Sequence, residues 1–256
     1  MKRKEWCAII SQEEIGKDIY SMWLETPSIA EGAVPGQFVS LYCGDKSRLL
    51  PRPISLCEID RERKRLRLVY RVAGKGTEEF SRMKAGDQIS VLGPLGNGFP
   101  LERAEGRRAI LFGGGIGIPP MLETARQIDG QKSIVLGYRD ERFLQGEFEA
   151  QGTLCIATED GSFGTRGNVL DAVREQNIQG DVAFACGPAP MLRAVKAWAE
   201  ENHVECWISL EERMACGIGA CLACVCQSSE IDEHSQVNNK RICKDGPVFL
   251  ASEVEL

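Results

Sequence analysis

Ala109-Ile110-Leu111-Phe112-Gly113-Gly114-Gly115-Ile116-Gly117-Ile118-Pro119-Pro120 decides how this 256-residue chain is read. The apolar residues form a short buried strand and the glycines a tight loop. The prolines suit the first turn of a helix, where a missing amide proton costs nothing. Strand, glycine loop and helix in that order let a backbone approach a pyrophosphate and aim helix amides at it. The run departs from G-x-G-x-x-G, and taken alone it could equally be a packing turn.

Toward the C-terminus the alternation continues, with strands expected over 109–112, 133–138, 153–158 and 181–186 and helices over 119–128, 168–176 and 191–203. Such alternation builds a Rossmann-like parallel α/β nucleotide domain, placed at 102–208. Cys186-Gly187-Pro188 ends the fourth strand, on the carboxyl edge where open sheets bind ligands. Gly113, Gly114, Gly115, Gly117, Cys186, Gly187 and Pro188 are therefore the candidate NAD contacts. Asp140 and Glu141 follow the second strand and could accept a hydrogen bond from a ribose hydroxyl while repelling a 2′-phosphate, favouring NAD over NADP. A solvated loop pair is the alternative. Thr158-Glu159-Asp160-Gly161-Ser162-Phe163-Gly164 turns on the same sheet edge.

Toward the N-terminus the rhythm is different. Strands at 6–10, 19–24, 37–42, 65–72 and 88–92 are separated by Val34-Pro35-Gly36, Gly74-Lys75-Gly76, Ala85-Gly86-Asp87 and the glycine-rich 93–98. Short strands with little helix suggest a small antiparallel β-barrel over 1–101. Met1-Lys2-Arg3-Lys4 precedes an apolar stretch too short for a secretory core, so a cytoplasmic location is expected. Lys and Arg number 31 against 37 Asp and Glu, a formal charge of -6 that offers no basic excess to nucleic acid. With 43% hydrophobic and 27% charged residues, and no run near a membrane span, the composition is globular.

Cysteine is the informative residue. Five of the 11 lie between 216 and 243, where an even spread would place about one. The odd total and the absence of an export signal argue against a disulfide framework. Cys216-x4-Cys221-x2-Cys224, with Cys243 further on, is the plant-type spacing that ligates a [2Fe–2S] cluster. Four thiolates also suit zinc, although zinc sites usually pair C-x2-C hairpins. Glycine and alanine within 216–221 let the backbone wrap and donate amides to the sulfurs. Cys226 would point away in an extended segment. Cysteines 7, 43, 57, 155, 186 and 206 are expected as packed, inert thiols. A C-terminal lobe over 209–256, organised by a metal centre, completes a multidomain β plus α/β architecture.

Arg52-Pro53-Ile54-Ser55, the glycine loop and Cys186-Gly187-Pro188 together resemble the ferredoxin-NADP reductase superfamily. The order barrel, nucleotide domain, cysteine lobe is more specific. With Arg213-Met214-Ala215-Cys216 and Cys243-Lys244-Asp245-Gly246-Pro247-Val248-Phe249, it is similar along essentially the whole chain to the electron transfer subunit family of dihydroorotate dehydrogenase B. That resemblance implies FAD on the barrel, contacted by Arg52, Pro53, Ile54 and Ser55, by Val69, Tyr70 and Arg71, and by Gly76 and Thr77. Physically, Arg52 can pair with a diphosphate, Ser55 can reach a ring edge, and Thr77 can cap a helix opening at Glu78. An ordinary Arg-Pro turn and an ordinary cap are the alternatives. The superfamily has an aromatic two residues after the arginine where this chain has Ile54. Tyr70 is then the candidate for flavin stacking, with a core tyrosine as its alternative.

The activity implied is a relay. Electrons from an FMN-containing catalytic subunit that oxidises dihydroorotate, in de novo pyrimidine biosynthesis, pass through [2Fe–2S] and FAD to NAD+. A heterotetramer of two chains of each kind is implied as well. Because the cofactors carry the chemistry, no acid or base catalyst is expected, and His203 and His234 are expected to face solvent. The cysteine lobe would face the partner, with Pro247-Val248-Phe249-Leu250 either in that contact or packed within the lobe. Two other readings stay open: a ferredoxin, sulfide or oxygenase reductase of the same chemistry, and a zinc-stabilised nucleotide-binding protein without redox activity.

Overall fold

The structure, a computed structural model, describes residues 2–139, 141–229, 231 and 236–256. Asp140 and His234 lie outside the described residues. The N-terminal strands are β1 (Arg3–Gly16), β2 (Ile19–Glu25), β3 (Phe38–Tyr42), β4 (Arg52–Asp60) and β5 (Arg65–Arg71), followed by helix α1 (Lys75–Ser81) and β6 (Gln88–Leu95). They close an antiparallel barrel in the order β1-β2-β5-β4-β3-β6. Strand alternation turns Val39, Leu41, Leu56, Leu66, Leu68 and Tyr70 into its interior. β1 is much longer than the expected strand. Register shifts between Ile9 and Ser11 and between Glu14 and Gly16 let it pair first with β6 and then with β2.

The second layer contains β7 (Ala109–Gly114), α2 (Ile118–Gln127), β8 (Lys132–Tyr138), α3 (Gln145–Glu149) and β9 (Thr153–Thr158). It continues with β10 (Thr165–Arg166), α4 (Val169–Glu175), β11 (Val182–Cys186), α5 (Ala189–Glu201) and β12 (Glu205–Ser209). These strands form a parallel sheet in the order β10-β9-β8-β7-β11-β12. Central β7 is buried along its whole length, as a strand covered on both faces requires. Among the described residues no helix is long and apolar enough to cross a membrane.

The last segment is more ordered than its sequence suggests. β13 (Val225–Gln227) and β14 (Asn239–Arg241) form a hairpin, and β15 (Val248–Leu250) joins the large sheet antiparallel to β12. Val248 and Phe249 are buried there, so this part of the tail packs internally rather than forming a contact surface. The cysteine segment is therefore a small lobe tied to the nucleotide sheet.

Helix α2 lies between the barrel and the sheet. Its Glu123 is buried and accepts a hydrogen bond from the Ile59 amide of β4 (3.1 Å). Beside it, Glu58 and Arg67 of the barrel meet Arg126 of α2 and Glu147 of α3 in one ion network, with Arg67 to Glu147 at 2.7 Å. Burial disfavours the Arg67 charge, but Glu147 and Glu58 outweigh it and hold the guanidinium more firmly protonated than usual. Arg67 is only 7% exposed, and removing it takes a close partner from the nearly buried Glu58 and from the half-buried Glu147. Arg67→Met is expected to cost about 3–5 kcal/mol in denaturant titration. Arg63→Ala, which breaks a solvent-facing pair with Asp60, should leave the midpoint unchanged.

Candidate cofactor and nucleotide sites

Arg52 opens β4, and its guanidinium is folded over the start of α1. A Cβ on Gly76 would land within that guanidinium, and Arg52 also donates to the Leu50 carbonyl. Gly74 caps the helix, so Thr77 lies inside it rather than at the cap expected from the sequence. The Thr77 hydroxyl instead accepts from the Ala73 and Gly74 amides (2.9 and 3.2 Å) and donates to the Gly74 carbonyl (3.0 Å). First-turn amides after the cap have no acceptor within the helix. A guanidinium fork beside such amides suits a diphosphate, so these residues fit the anionic part of FAD.

Pro53, Ile54 and Ser55 follow on β4 and are half-buried. Val69 is buried in the core shared with the nucleotide layer, and Arg71 at the end of β5 is exposed. Tyr70 takes the core alternative. Its ring stacks on Tyr20, meets Phe80 edge-on, and its hydroxyl donates to Gln12 (2.9 Å), which removes the side chain from flavin stacking. Gln12 and Glu79 escaped the sequence reading. Gln12 donates to the Phe80 and Met83 carbonyls, while Glu79 accepts from the Gly44 amide and from Arg48, holding the 44–48 loop against α1. Isolated polar residues in otherwise ordinary segments carry no motif that would reveal this.

The four cysteines come together in two pairs. Cys216 Sγ accepts the amides of Ile218 (3.4 Å) and Ala220 (3.3 Å) and lies within hydrogen-bonding reach of Cys221. Cys224 Sγ accepts the Cys243 amide (3.4 Å), and Cys243 Sγ accepts that of Gly219 (3.1 Å). Burial opposes ionisation of Cys216, yet the surrounding amides outweigh it and bring the thiol down to about 6. Burial and the adjoining Cys224 push Cys243 up to about 12. Among the described residues no three ligand-type side chains converge on one ion, whereas a two-iron cluster needs two thiolates per iron. Paired sulfurs with amide donors fit that donor set. Cys226 is turned away and donates to the Lys240 carbonyl (3.6 Å).

This loop sits on the barrel. Gly217 has a φ of +67°, and a Cβ there would be 3.0 Å from Ser40 Oγ of β3 and 3.4 Å from Leu95 of β6. The positive φ favours glycine, and a Cβ would also crowd Ser40. Ser40 Oγ is buried and has no hydrogen-bond partner among the described residues, a cost of about 1–3 kcal/mol for a hydroxyl left unsatisfied.

On the nucleotide layer, Gly113 of β7 is in register with Cys186 of β11. A Cβ on Gly117 would be 2.5 Å from the Cys186 carbonyl, so the glycine loop and Cys186-Gly187 touch backbone to backbone at the carboxyl edge of the sheet. Gly113 and Gly114 end β7, Gly115 lies in the turn, and Pro188 caps α5. Burial pushes the Cys186 thiol up to about 12 against a hydrogen bond from Ser209, so it stays neutral. Glu141 accepts the Lys17 amide (2.8 Å), bracing the barrel. His203 is exposed.

A model of the oxidoreductase FAD-binding domain matches residues 6–99, and one of the iron–sulfur cluster binding domain of dihydroorotate dehydrogenase B matches 211–255. The chain is 45% identical to the electron transfer subunit of dihydroorotate dehydrogenase B (NAD(+)) from Geobacillus sp. (strain WCH70), covering 100% of both chains. It is 44% identical to that of Bacillus caldolyticus, covering 99% of both. A solved structure of an NADH-dependent reduced ferredoxin-NADP oxidoreductase superposes with a TM-score of 0.85 at 30% identity, covering 97% of this chain and 89% of the other.

Cys216→Ser is expected to abolish the visible absorption of the iron–sulfur group while flavin absorption remains, and Cys226→Ser to leave both intact. Absorption spectra with iron and flavin quantification check this.

Proposed function

The chain belongs to the family of electron transfer subunits of dihydroorotate dehydrogenase B, and on that premise we infer that it passes electrons from a partner through [2Fe–2S] and FAD to NAD+. The observation that carries the reading is adjacency. The Cys216 loop rests on Ser40, and Ser40 pairs directly with Pro53 inside the Arg52-to-Ser55 strand, so the proposed cluster and flavin sites share one patch of barrel. When bound, these cofactors supply the exchange between single electrons and a hydride. The chain's residues bind and orient. Arg52, Gly76 and the first turn of α1 hold the diphosphate, with Pro53, Ile54, Ser55 and the backbone of 69–71 along the flavin. Gly113 to Gly117 and Cys186 to Pro188 hold the nicotinamide nucleotide on the sheet edge. The working division is 1–101, 102–208 and 209–256.

The partner proposed is an FMN-containing catalytic subunit that oxidises dihydroorotate in pyrimidine biosynthesis, in a cytoplasmic complex of two chains of each kind. Ile218, Leu222 and Val225 in the cluster segment support a docking face there, being large apolar side chains left exposed, Leu222 by 60%. The likeness to the ferredoxin-NADP oxidoreductase favours a second reading, the same relay with a different partner.

Native purification separates the two. Co-purification of a second subunit with FMN, and NADH formation dependent on dihydroorotate, is the expected result. FAD and iron without either would move the relay to another partner. Arg52→Ala should weaken FAD retention about tenfold to a hundredfold, as loss of a charge-assisted bond worth about 1.5–3 kcal/mol requires, measured by flavin release on dilution.

A further inference from the structure

Ser40 sits where the two proposed cofactor sites meet. Its neighbours Val39 and Leu41 point into the barrel, so Ser40 faces outward, across from Pro53. Gly217 of the first cysteine loop covers it. The residue is 1% exposed, yet its hydroxyl has no hydrogen-bond partner among the described residues. Phe38, Leu92 and Leu95 nearby are apolar, so packing alone would be served as well by alanine or valine. A donor stands where an apolar side chain would suffice.

We propose that Ser40 is a positioning residue of the relay, whose hydroxyl donates a hydrogen bond to a sulfur of the [2Fe–2S] group held by the Cys216 loop and so raises that group's reduction potential. This rests on the relay reading above. The backbone covering Ser40 Oγ belongs to the cysteine loop, so the acceptor assigned to the hydroxyl is the group that this loop is proposed to hold. A cluster gains negative charge on reduction, and donors to its sulfurs stabilise that charge. The amides of Ile218, Ala220 and Gly219 come from the loop itself. Ser40 comes from the barrel. Its bond forms only when the cysteine segment is seated, so the potential is tied to that seating.

The test is a redox titration of the full chain with its native cofactors, followed by EPR for the cluster and visible absorption for the flavin. Ser40→Ala is expected to keep iron and FAD but to lower the cluster midpoint by the equivalent of about a threefold to tenfold change in the ratio of reduced to oxidised cluster, tenfold being about 59 mV for one electron. The flavin midpoint should not move. Ser40→Thr and Ser40→Val form a nearly isosteric pair that differs in the hydroxyl. Thr should hold the wild-type cluster midpoint and Val should show the lowered one, which decides the matter even if the alanine variant loses its cluster. Equal midpoints for Thr and Val, or a shift confined to the flavin, would overturn the assignment of Ser40 and leave the relay standing. Wild-type chain without iron or flavin would instead overturn the relay itself.

Discussion

The short span from Arg241 to Leu250 holds the three parts of the molecule together. The Arg241 carbonyl accepts the amides of Lys244 and Asp245, and the Asp245 carboxylate returns to the Arg241 amide and guanidinium. That closed turn presents Cys243 to the sulfur pairs. Immediately afterwards, the Gly246 carbonyl accepts the Asn97 amide of the barrel (2.7 Å) and the Pro247 carbonyl accepts the Leu210 amide (2.9 Å). β15 then completes the sheet. One thiolate ligand is thereby fastened to both other layers within a few residues. A cluster held this way cannot shift without disturbing the sheet edge.

The opposite side of the molecule meets the same demand by different means. There the barrel and nucleotide sheet are held by α2, by the ion network of Glu58, Arg67, Arg126 and Glu147, and by Glu141 reaching the Lys17 amide. Ion networks at a dry interface add less stability than apolar packing, but their geometry is exacting. They set the orientation of the Arg52 cradle relative to the glycine loop. The proposed relay, with flavin and nicotinamide on separate layers, would require that kind of fixed relation.

Legibility in the sequence followed distance along the chain. The glycine loop, the two prolines of α2 and the cysteine spacing were readable because each is a local pattern with one physical purpose. β4 is absent from the expected strands because its opening Arg52-Pro53 also suits a turn, yet Pro53 is tolerated opposite Ser40 in the ladder. β15 was missed because a strand of three residues gains its identity only from β12, far back in the chain. Thr77 was misplaced by a few residues because a threonine before Glu78 resembles a cap, whereas Gly74 begins the helix. Tyr70 could not be settled locally. Its place in the barrel depends on Tyr20, Phe80 and Gln12, which come from three other elements.

The central claim is that paired thiols on a loop seated against the flavin strand hold a two-iron cluster. EPR of the natively purified chain after reduction tests it most directly. The expected result is the signal of a one-electron-reduced [2Fe–2S] centre. A chain that binds zinc in place of iron and gives no such signal would contradict it.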